Sequence, residues 1–456
     1  MSNYNTFRSE FPVFLYKSYE LTEDSEKIGI RYHFEIQGLS EFSPEWTIKK
    51  GSPETISDDP VLKKLVFSLG MVELISYWKI TCSPTVRIQC GSIDNEQEKW
   101  WKTQYFNGLG EFFYINGINA DFESFMKIES DNNADQSAAP FTSKKELKGC
   151  LIPVGGGKDS IVTLEILNKM RAENACYLIN KRNSIYQSAY TAGFSDDSII
   201  LSTRTLDANM IRLNSEGYLN GHTPFSAIVA FSAVIAAYIN SKKYVVLSNE
   251  ASANESTVKD STVNHQYSKS FEFENDFAEY ERKYINSGVH YFSLLRPWSE
   301  FQIAKYFSGL KKYHSIFRSC NKGSKKDIWC ANCSKCLFVS LILSPFLSVD
   351  EISEIIGKNM FDDKEMLETF KKLIGIANEK PFECVGSRDE VNFAVSSSVN
   401  RLLSSGEKLP FLFEFYKNTD LFKEYSSRKN PLYEYYNEKN NLPDEFDKIM
   451  RDIKLC

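Results

Sequence analysis

A chain of 456 residues, of which 42% are hydrophobic and 14% aromatic, is long enough for two domains or for one large domain with an appendage. Its 54 basic and 60 acidic residues give a net charge of −6, which argues against a general nucleic-acid-binding surface and leaves room only for a local basic patch. There is no apolar run long enough to span a membrane, no secretory signal pattern, and ten cysteines are too few for a disulfide scaffold. We therefore expect a cytoplasmic protein without a membrane span; the oligomeric state is left open.

The N-terminal third mixes strand and helix patterns, so we predict an α+β domain over 1–140. A broad apolar face predicts a helix over 60–78, and a capping-box pattern, Asp94 with Gln97, precedes a second helix. Residues 129–142 are polar and poor in large apolar groups, so we interpret them as the linker that follows this domain. The strand candidates of this part are 10–40 and 84–90.

After the linker, short apolar strands alternate with helices, which predicts an α/β domain over 145–345 with a parallel sheet and helices on both faces. Thr223 and Pro224 are the expected N-cap and first residue of the helix over 223–240. The last part, 346–456, is predicted to be mostly helical. The strand candidates are 149–154, 175–179, 198–201 and 244–247. Because ligands bind beyond the carboxyl ends of such strands, the segments expected at the binding edge are 155–160, 202–207 and 248–255.

A glycine-rich turn between a predicted strand and a predicted helix is the most informative stretch of the chain. Glycines let a ligand approach the backbone amides, and the N-terminus of the following helix attracts phosphate. Asp159 or Ser160 would cap this helix, and Asp159 could also face Mg²⁺; a glycine turn without a ligand is the plainer alternative. The P-loop pattern of kinases does not fit, because Asp159 follows the Gly-Lys pair and Ile152 replaces the first glycine. The residues expected to bind the nucleotide are Gly155, Gly156, Gly157, Lys158, Asp159 and Ser160.

This turn resembles the pyrophosphate loop, S-G-G-x-D-S, of the ATP-pyrophosphatase superfamily, with Gly155 in place of the leading serine. The resemblance implies an adenine nucleotide alpha hydrolase-like fold. It also implies cleavage of ATP between the α- and β-phosphates, with adenylation of a substrate oxygen. The replacement at Gly155 removes one hydroxyl contact and leaves the main-chain cradle intact.

Four cysteines cluster in the pattern C-x9-C-x2-C-x2-C. Thiolates at this spacing can hold one tetrahedral ion, and four protein ligands leave no open position, so we predict a structural zinc site. An iron–sulfur cluster also suits the spacing, and four reduced thiols without a metal are the third alternative. A similar cysteine pattern occurs in 7-cyano-7-deazaguanine synthase, itself a pyrophosphate-loop enzyme. The cysteines are Cys320, Cys330, Cys333 and Cys336.

Other candidate residues lie at predicted turns and strand ends. His222 stands at a glycine turn before a helix, where it could contact an anionic ligand or serve only the turn. Asn249, a candidate nucleotide contact, and Glu250, a candidate Mg²⁺ or substrate contact, directly follow a strand; a solvated loop acid is the alternative for Glu250. His265 belongs to a polar segment that suits a substrate loop or a surface loop. For the lone Cys384, packing and acid/base or nucleophilic chemistry are both open.

Several segments together resemble the UDP-N-acetylmuramoyl-L-alanyl-L-glutamate epimerase family, and they span most of the chain. They are 75–79, 108–112, 153–160, 220–224, 248–250, 263–268 and 381–386. The resemblance implies that ATP and Mg²⁺ are used to invert the terminal L-Glu of a UDP-linked muramoyl dipeptide through an acyl-adenylate, with release of AMP and pyrophosphate, in peptidoglycan precursor synthesis. Asp159 would then orient Mg²⁺, and Lys158 with the glycine amides would hold pyrophosphate.

Adenylation of a carboxylate acidifies its α-proton, so a base can remove that proton and an acid can return one to the opposite face. The candidates for these two roles are Cys384, His222, His265 and Glu250. Two other functions stay open: a nucleobase- or tRNA-modifying pyrophosphate-loop enzyme similar to 7-cyano-7-deazaguanine synthase, and a non-catalytic ATP-binding module.

Overall fold

The structure, a computed structural model, describes residues 3–130, 145–257 and 264–455. Within these residues, eleven strands form one sheet in which six of the ten strand pairs are parallel. The strands are β1 (Val13–Glu23), β2 (Lys27–Ile36), β3 (Ser40–Phe42), β4 (Glu45–Lys49), β5 (Thr85–Ile88), β6 (Lys127–Ser130), β7 (Cys150–Pro153), β8 (Ala175–Ile179), β9 (Ile199–Arg204), β10 (Tyr244–Leu247) and β11 (His290–Ser293).

The sheet continues from the N-terminal part of the chain into the central part. Its strand order is β11-β10-β7-β8-β9-β4-β2-β1-β5-β6, with β3 paired to β2. Strands β7 to β11 run parallel to one another, and β4 lies antiparallel to β9 with Thr47 opposite Thr203. The sheet is therefore mixed, and the N-terminal strands extend the parallel part at its β9 edge.

The helices lie between the strands and fill the C-terminal part. They are α1 (Asn3–Glu10), α2 (Pro60–Trp78), α3 (Asn95–Gly108), α4 (Gly110–Ile115), α5 (Lys158–Ile166), α6 (Asn183–Thr191), α7 (Ala208–Ser215), α8 (Phe225–Ile239), α9 (Phe271–Tyr280), α10 (Glu300–Ser308), α11 (Ser334–Leu343), α12 (Val349–Ile356), α13 (Leu367–Leu373), α14 (Arg388–Ser405), α15 (Phe411–Lys417), α16 (Asp420–Ser426) and α17 (Asp444–Asp452). Among the helices of the described residues, none has both the length and the apolar character needed to cross a membrane.

Both faces of the parallel part of the sheet are buried, because successive residues of each strand enter opposite hydrophobic cores. In β10, Val245 shares a core with residues of α2, α8 and α9. Its neighbour Val246 shares the other core with residues of α5, α10 and α11. With helices on both faces, the carboxyl ends of the parallel strands remain as the edge where a site can form.

Strong local signals gave the right element boundaries. Helix α2 has the bounds that its apolar face predicts, and the Asp59 carboxylate caps it by accepting hydrogen bonds from first-turn amides. The predicted capping box at the start of α3, between Asp94 and Gln97, is present. Each of these signals acts within a few residues, so it does not depend on the rest of the fold.

The expected start of α8 was wrong. Helix α8 begins at Phe225 with Pro224 as its N-cap residue, so Thr223 does not cap it. The Thr223 hydroxyl instead accepts a hydrogen bond from the Lys79 ammonium at 2.6 Å. The predicted linker over 129–142 lies mostly outside the described residues, and its first two residues belong to β6.

Candidate active site

The glycine turn that joins β7 to α5 is shaped by its neighbours. Gly156 has a φ of +78°, a left-handed conformation that favours glycine, and its carbonyl accepts a hydrogen bond from the Arg318 amide at 2.8 Å. A Cβ atom on Gly157 would lie 2.8 Å from the Ser319 hydroxyl. At Gly155, by contrast, no atom of the described residues would come within 4 Å of a Cβ. The turn is thus held on one side and open to a ligand on the other.

Helix α5 starts without a side-chain cap, so the expectation that Asp159 or Ser160 caps it was wrong. The Ser160 hydroxyl donates to the Gly157 carbonyl at 3.0 Å, and the Asp159 carboxylate forms an ion pair with Lys158. The start of α5 within the described residues therefore keeps its first amides available. Phosphate-binding helix starts use this arrangement.

Three acidic side chains meet beside the glycine turn. Carboxylate oxygens of Asp159, Glu250 and Glu300 lie within 4.8 Å of one another. The Lys158 ammonium forms ion pairs with both Asp159 and Glu300, and Lys158 and Glu300 are buried. Burial raises the pKa of Glu300, Lys158 opposes that shift, and Asp159 adds to it. Three carboxylate oxygens lie close together, and Lys158 balances only part of their negative charge. Such a group suits a divalent cation such as Mg²⁺.

Arg296 fixes the backbone on the far side of these acids. Its guanidinium is fully buried and donates to the carbonyls of Glu250 at 2.7 Å and Lys269 at 2.6 Å. It therefore ties the segment after β10 to the turn before α9. The predicted nucleotide contact Asn249 lies at the same edge, where its amide donates to the Ser293 hydroxyl at 3.1 Å.

A second cluster joins the candidate thiol to two histidines and an acid. The Glu111 carboxylate accepts a hydrogen bond from Nδ1 of His265 and lies 3.2 Å from Nδ1 of His222. The centroids of the two imidazole rings are 4.6 Å apart. The Cys384 thiol lies near enough to the His265 ring for each group to shift the pKa of the other. Cys384, His265, Glu111 and His222 thus form a continuous chain of polar contacts.

The members of this cluster come from four separate parts of the chain. Glu111 lies in α4, and Cys384 lies between α13 and α14. The turn that carries His222 is held by the Lys79 ammonium, which donates to the Gly221 carbonyl. The tertiary fold, rather than any one segment, therefore builds the cluster.

Burial and neighbouring charges move the pKa values of the cluster's titratable groups apart. Burial disfavours the Cys384 thiolate, but Lys269 and His265 outweigh burial and lower the pKa of Cys384 to about 6. Burial likewise opposes the charged form of His265, but Cys384 and Glu111 raise the pKa of His265 to about 9. Burial, His265 and Lys79 lower the pKa of His222 to about 3. Near neutral pH the cluster therefore holds a thiolate, an imidazolium and a neutral imidazole.

Two lysines connect the thiol cluster to the acidic cluster. The charge of Lys269 acts on Cys384 and also on Glu250 and Asp159. The Lys335 ammonium donates to the Cys384 carbonyl. The predicted catalytic residues that the structure gathers into this one site are Lys158, Asp159, His222, Glu250, His265 and Cys384.

The four clustered cysteines could bind one metal ion. Their Sγ atoms are 3.9 Å apart for Cys320 and Cys333, 3.8 Å for Cys330 and Cys336, and 3.4 Å for Cys333 and Cys336. Four thiolates at about 2.3 Å from one Zn²⁺ stand about 3.8 Å apart in a tetrahedron. In a cubane iron–sulfur cluster each thiolate binds a different iron, which spreads the sulfurs farther. The geometry therefore fits a single ion better than a cluster.

The cysteine cluster also anchors the segment that carries Cys384. Lys335 lies between Cys333 and Cys336 in sequence, at the start of α11. Its amide donates to the Glu383 carboxylate, and its ammonium donates to the Cys384 carbonyl. An ion that fixes the cysteines would fix this lysine too, and through it the candidate catalytic thiol.

A cavity of about 620 Å³ opens beside Gly155, at the carboxyl ends of β7 and β8. Its walls include the side chains of Tyr177, Ile185 and Phe225. Arg182 lines the same cavity and donates to the Gly155 carbonyl at 3.4 Å. A cavity of this size with apolar walls and a few polar groups suits a nucleoside.

Four charged residues of the site were not among the sequence predictions. Glu111 precedes two phenylalanines in an apolar helix, and Lys335 lies between two cysteines of the cluster. A charged residue in such surroundings signals burial, and a buried charge needs a partner. The residues are Glu111, Lys269, Glu300 and Lys335.

Two family models match the chain. Residues 5–294 match the MurL N-terminal domain, and residues 316–412 match the MurL C-terminal domain. The chain belongs to the MurL family. Both matches include residues of the site, the first from Glu111 to Lys269 and the second at Lys335 and Cys384.

Relatives of this MurL-family chain share one name, UDP-N-acetyl-alpha-D-muramoyl-L-alanyl-L-glutamate epimerase. The protein from Xanthomonas oryzae pv. oryzae is 33% identical over 73% of this chain and 74% of its own length. The protein from Salinispora tropica is 30% identical over 76% of this chain and 75% of its own length. The protein from Micromonospora sp. is 32% identical over 74% of each chain. No solved structure matches the chain.

Proposed function

We propose that this MurL-family chain inverts the terminal L-Glu of UDP-N-acetylmuramoyl-L-alanyl-L-glutamate to D-Glu, with ATP as the activating co-substrate, in the cytoplasmic synthesis of peptidoglycan precursors. The name of its relatives supports the overall reaction. One observation carries the proposal: a phosphate-type glycine turn and a thiolate–imidazolium pair share one site, joined by Lys269. Activation of the substrate carboxylate by ATP and proton transfer at its α-carbon can then take place on the same bound substrate.

The glycine turn would activate the substrate carboxylate. The amides at the start of α5, with Lys158 and Ser160, would hold the β- and γ-phosphates, and the cavity beside Gly155 would hold the adenosine. Asp159, with the neighbouring acids, offers oxygen ligands for Mg²⁺, which when bound would neutralise charge on the departing pyrophosphate. We infer a pyrophosphate-loop ATPase domain over 145–345, an N-terminal domain over 1–140 and a helical region over 346–456.

The thiol cluster would carry out the inversion. The α-carbon of the activated glutamate would enter between Cys384 and His265. The Cys384 thiolate would take the α-proton, and the His265 imidazolium would return a proton to the opposite face. Glu111 would hold His265 through Nδ1, so Nε2 is the ring atom that faces Cys384 and would deliver this proton. Once the product leaves, the thiol and the ring lie side by side again, and the thiol can pass its proton to His265. Water finally hydrolyses the mixed anhydride and releases AMP.

The products of ATP distinguish this chemistry from phosphoryl transfer. We expect the UDP-linked dipeptide to stimulate ATP cleavage to AMP and pyrophosphate, because adenylation expels pyrophosphate from the α-phosphate. Chromatography of the nucleotides, with and without dipeptide, measures this directly. ADP and phosphate as products would exclude the acyl-adenylate, and cleavage stimulated only by a deazapurine or a tRNA would favour a modifying enzyme.

The rate of inversion should depend on pH through two groups. Cys384 must be a thiolate, so activity falls as the pH drops through about 6, and His265 must be protonated, so activity falls as the pH rises through about 9. The charges that set these values are Lys269 and Glu111 beside the pair. We expect a bell-shaped profile of kcat/KM for inversion. Activity that stays flat through pH 6 would remove Cys384 from the base role.

We further propose that the cysteine cluster holds one structural Zn²⁺ per chain. Replacing a ligand, as in Cys333→Ser, should lose the metal and lower the melting temperature by on the order of 10 °C, because metal binding energy is also folding energy. Metal analysis of anaerobically purified protein and a thermal melt measure both effects. Cys90→Ser, outside the cluster, is the control that should keep its metal. Iron with matching sulfide, or no metal in the unaltered protein, would contradict the zinc assignment.

A further inference from the structure

Lys269 occupies a fixed position between the two halves of the candidate site. It ends a short helical turn, Tyr267–Lys269, just before α9. Its amide donates to the Gln266 carbonyl at 2.7 Å, and its carbonyl accepts from the buried Arg296 at 2.6 Å. Arg296 also binds the Glu250 carbonyl, so one rigid group sets both the lysine and the acid. Because these hydrogen bonds fix the backbone of Lys269, its side chain can reach a well-defined part of the site.

The ammonium of Lys269 differs from those of its neighbours in what it contacts. Lys158 forms ion pairs with two carboxylates, and the Lys335 ammonium donates to a backbone carbonyl. The turn that carries Lys269 is tied to the segment of Cys384, because the Gln266 side-chain amide donates to the Val385 carbonyl at 3.2 Å. Lys269 and the Cys384 thiol act on each other's charge, and within the described ranges Lys269 has no carboxylate oxygen within 4.0 Å. Its charge still acts on Asp159, at the phosphate end of the site. It is therefore a site cation that no carboxylate holds, and its remaining N–H groups can donate to an anionic oxygen of a substrate.

The chemistry of an acyl-adenylate explains why a cation is needed there. The acyl carbon is bonded on one side to the α-carbon, whose proton Cys384 would take. On the other side it is bonded to the oxygen of the α-phosphate, which the glycine turn would hold. A cation that adjoins both Cys384 and the end of the site near Asp159 must therefore lie close to the acyl carbon and its oxygen.

We propose that Lys269 is a catalytic residue that binds the acyl oxygen of the activated glutamate and stabilises its enolate. This inference rests on the proposed function. As the Cα–H bond breaks, its proton moves to the Cys384 sulfur and its electron pair forms a C=C bond, while negative charge collects on the acyl oxygen. Lys269 donates a hydrogen bond to that oxygen and keeps its proton. When His265 delivers a proton to the opposite face, a new Cα–H bond forms and the C=O bond returns.

The variant Lys269→Met removes the charge and keeps a side chain of similar length. We expect it to release pyrophosphate at a rate within about threefold of the unaltered protein. Inversion should fall by about a hundredfold to a thousandfold, the range found when one preorganised oxyanion donor is removed. AMP should therefore form in large excess over D-Glu, because the mixed anhydride is hydrolysed without inversion. Lys269→Arg, which keeps the charge, should restore part of the coupling.

Lys283→Met is the matched control, since Lys283 is an exposed lysine paired with Glu96 on the surface. It should keep one AMP per inverted glutamate. The proposal would be overturned if Lys269→Met still formed one AMP per inverted glutamate. It would also be overturned if the variant lost pyrophosphate release together with inversion. If the unaltered protein released no pyrophosphate with the dipeptide, the proposed function itself would fail, and that result is separate from either outcome.

A second measurement separates enolate binding from an effect on the thiol. Lys269 also favours the Cys384 thiolate, so its loss weakens the base at neutral pH. The rate of α-deuterium loss from labelled dipeptide can be measured as the pH is raised until the rate reaches its alkaline plateau. On that plateau the thiol is fully ionised in both proteins, so the effect of Lys269 on the Cys384 pKa no longer contributes. We expect Lys269→Met to stay about a hundredfold slow on the plateau. A plateau rate equal to that of the unaltered protein would show that Lys269 only lowers the pKa of Cys384, and it would overturn the enolate role.

Discussion

Asp159→Asn should reduce dipeptide-stimulated AMP formation by on the order of a hundredfold to a thousandfold. The carboxylate lies at the start of α5, with Glu250 and Glu300 within 4.8 Å and Lys158 in an ion pair with it. Its loss removes an oxygen ligand for Mg²⁺ and leaves the charge of Lys158 less well balanced. The measurement is the initial rate of pyrophosphate release at saturating ATP and Mg²⁺.

Asp197→Asn provides the control, because Asp197 is an exposed acid of the same part of the chain. It should keep its rate of pyrophosphate release. Equal activity of Asp159→Asn and this control would show that the acidic cluster does not bind the metal–nucleotide complex. A thermal melt of both variants checks that the fold is retained.

Cys384→Ser should lower the rate of inversion by about a hundredfold to ten-thousandfold, the usual contribution of a general base. A serine hydroxyl is not ionised at neutral pH, so it cannot take the α-proton, whereas Lys269 and His265 keep Cys384 largely ionised. Pyrophosphate release should continue, because the thiol belongs to the carbon half of the site. Chiral analysis of the glutamate and an assay of pyrophosphate measure the two steps separately.

Cys90→Ser, a half-buried cysteine outside the site, should invert glutamate normally. His265→Gln extends the test: it should keep exchange of the α-proton with solvent but lose delivery to the opposite face. A Cys384→Ser protein that still inverts glutamate at the normal rate would assign the base to another group, such as Glu250.

The sequence predicted well those features that are encoded within a few residues. Strands β8 and β10 have the bounds expected from their apolar runs, and α2 and the capping box of α3 follow from local hydrogen bonding. Strand β11 escaped prediction because its sequence, His-Tyr-Phe-Ser, lacks the continuous apolar run that marks β10. The continuation of the sheet from β9 to β4 also escaped, because strand pairing depends on segments far apart in the chain.

The residues of the candidate site also differ in how far the sequence could predict them. The glycine turn and the cysteine cluster are contiguous motifs, and their residues could be named from spacing alone. For Cys384 and His265 the local sequence left packing and a surface loop as alternatives, and no local pattern predicted that the two lie together. Glu111 and Lys269 gain their importance from burial and from neighbours contributed by other segments. The catalytic roles of all these residues stay predictions until variants are measured.

The most direct test of the account is a single incubation of the protein with ATP, Mg²⁺ and UDP-N-acetylmuramoyl-L-alanyl-L-glutamate in heavy water. Chiral analysis and mass spectrometry of the released glutamate report its configuration and its label. We expect D-Glu with one deuterium at Cα, formed only with ATP and together with AMP. L-Glu alone, inversion without ATP, or D-Glu without deuterium would contradict it.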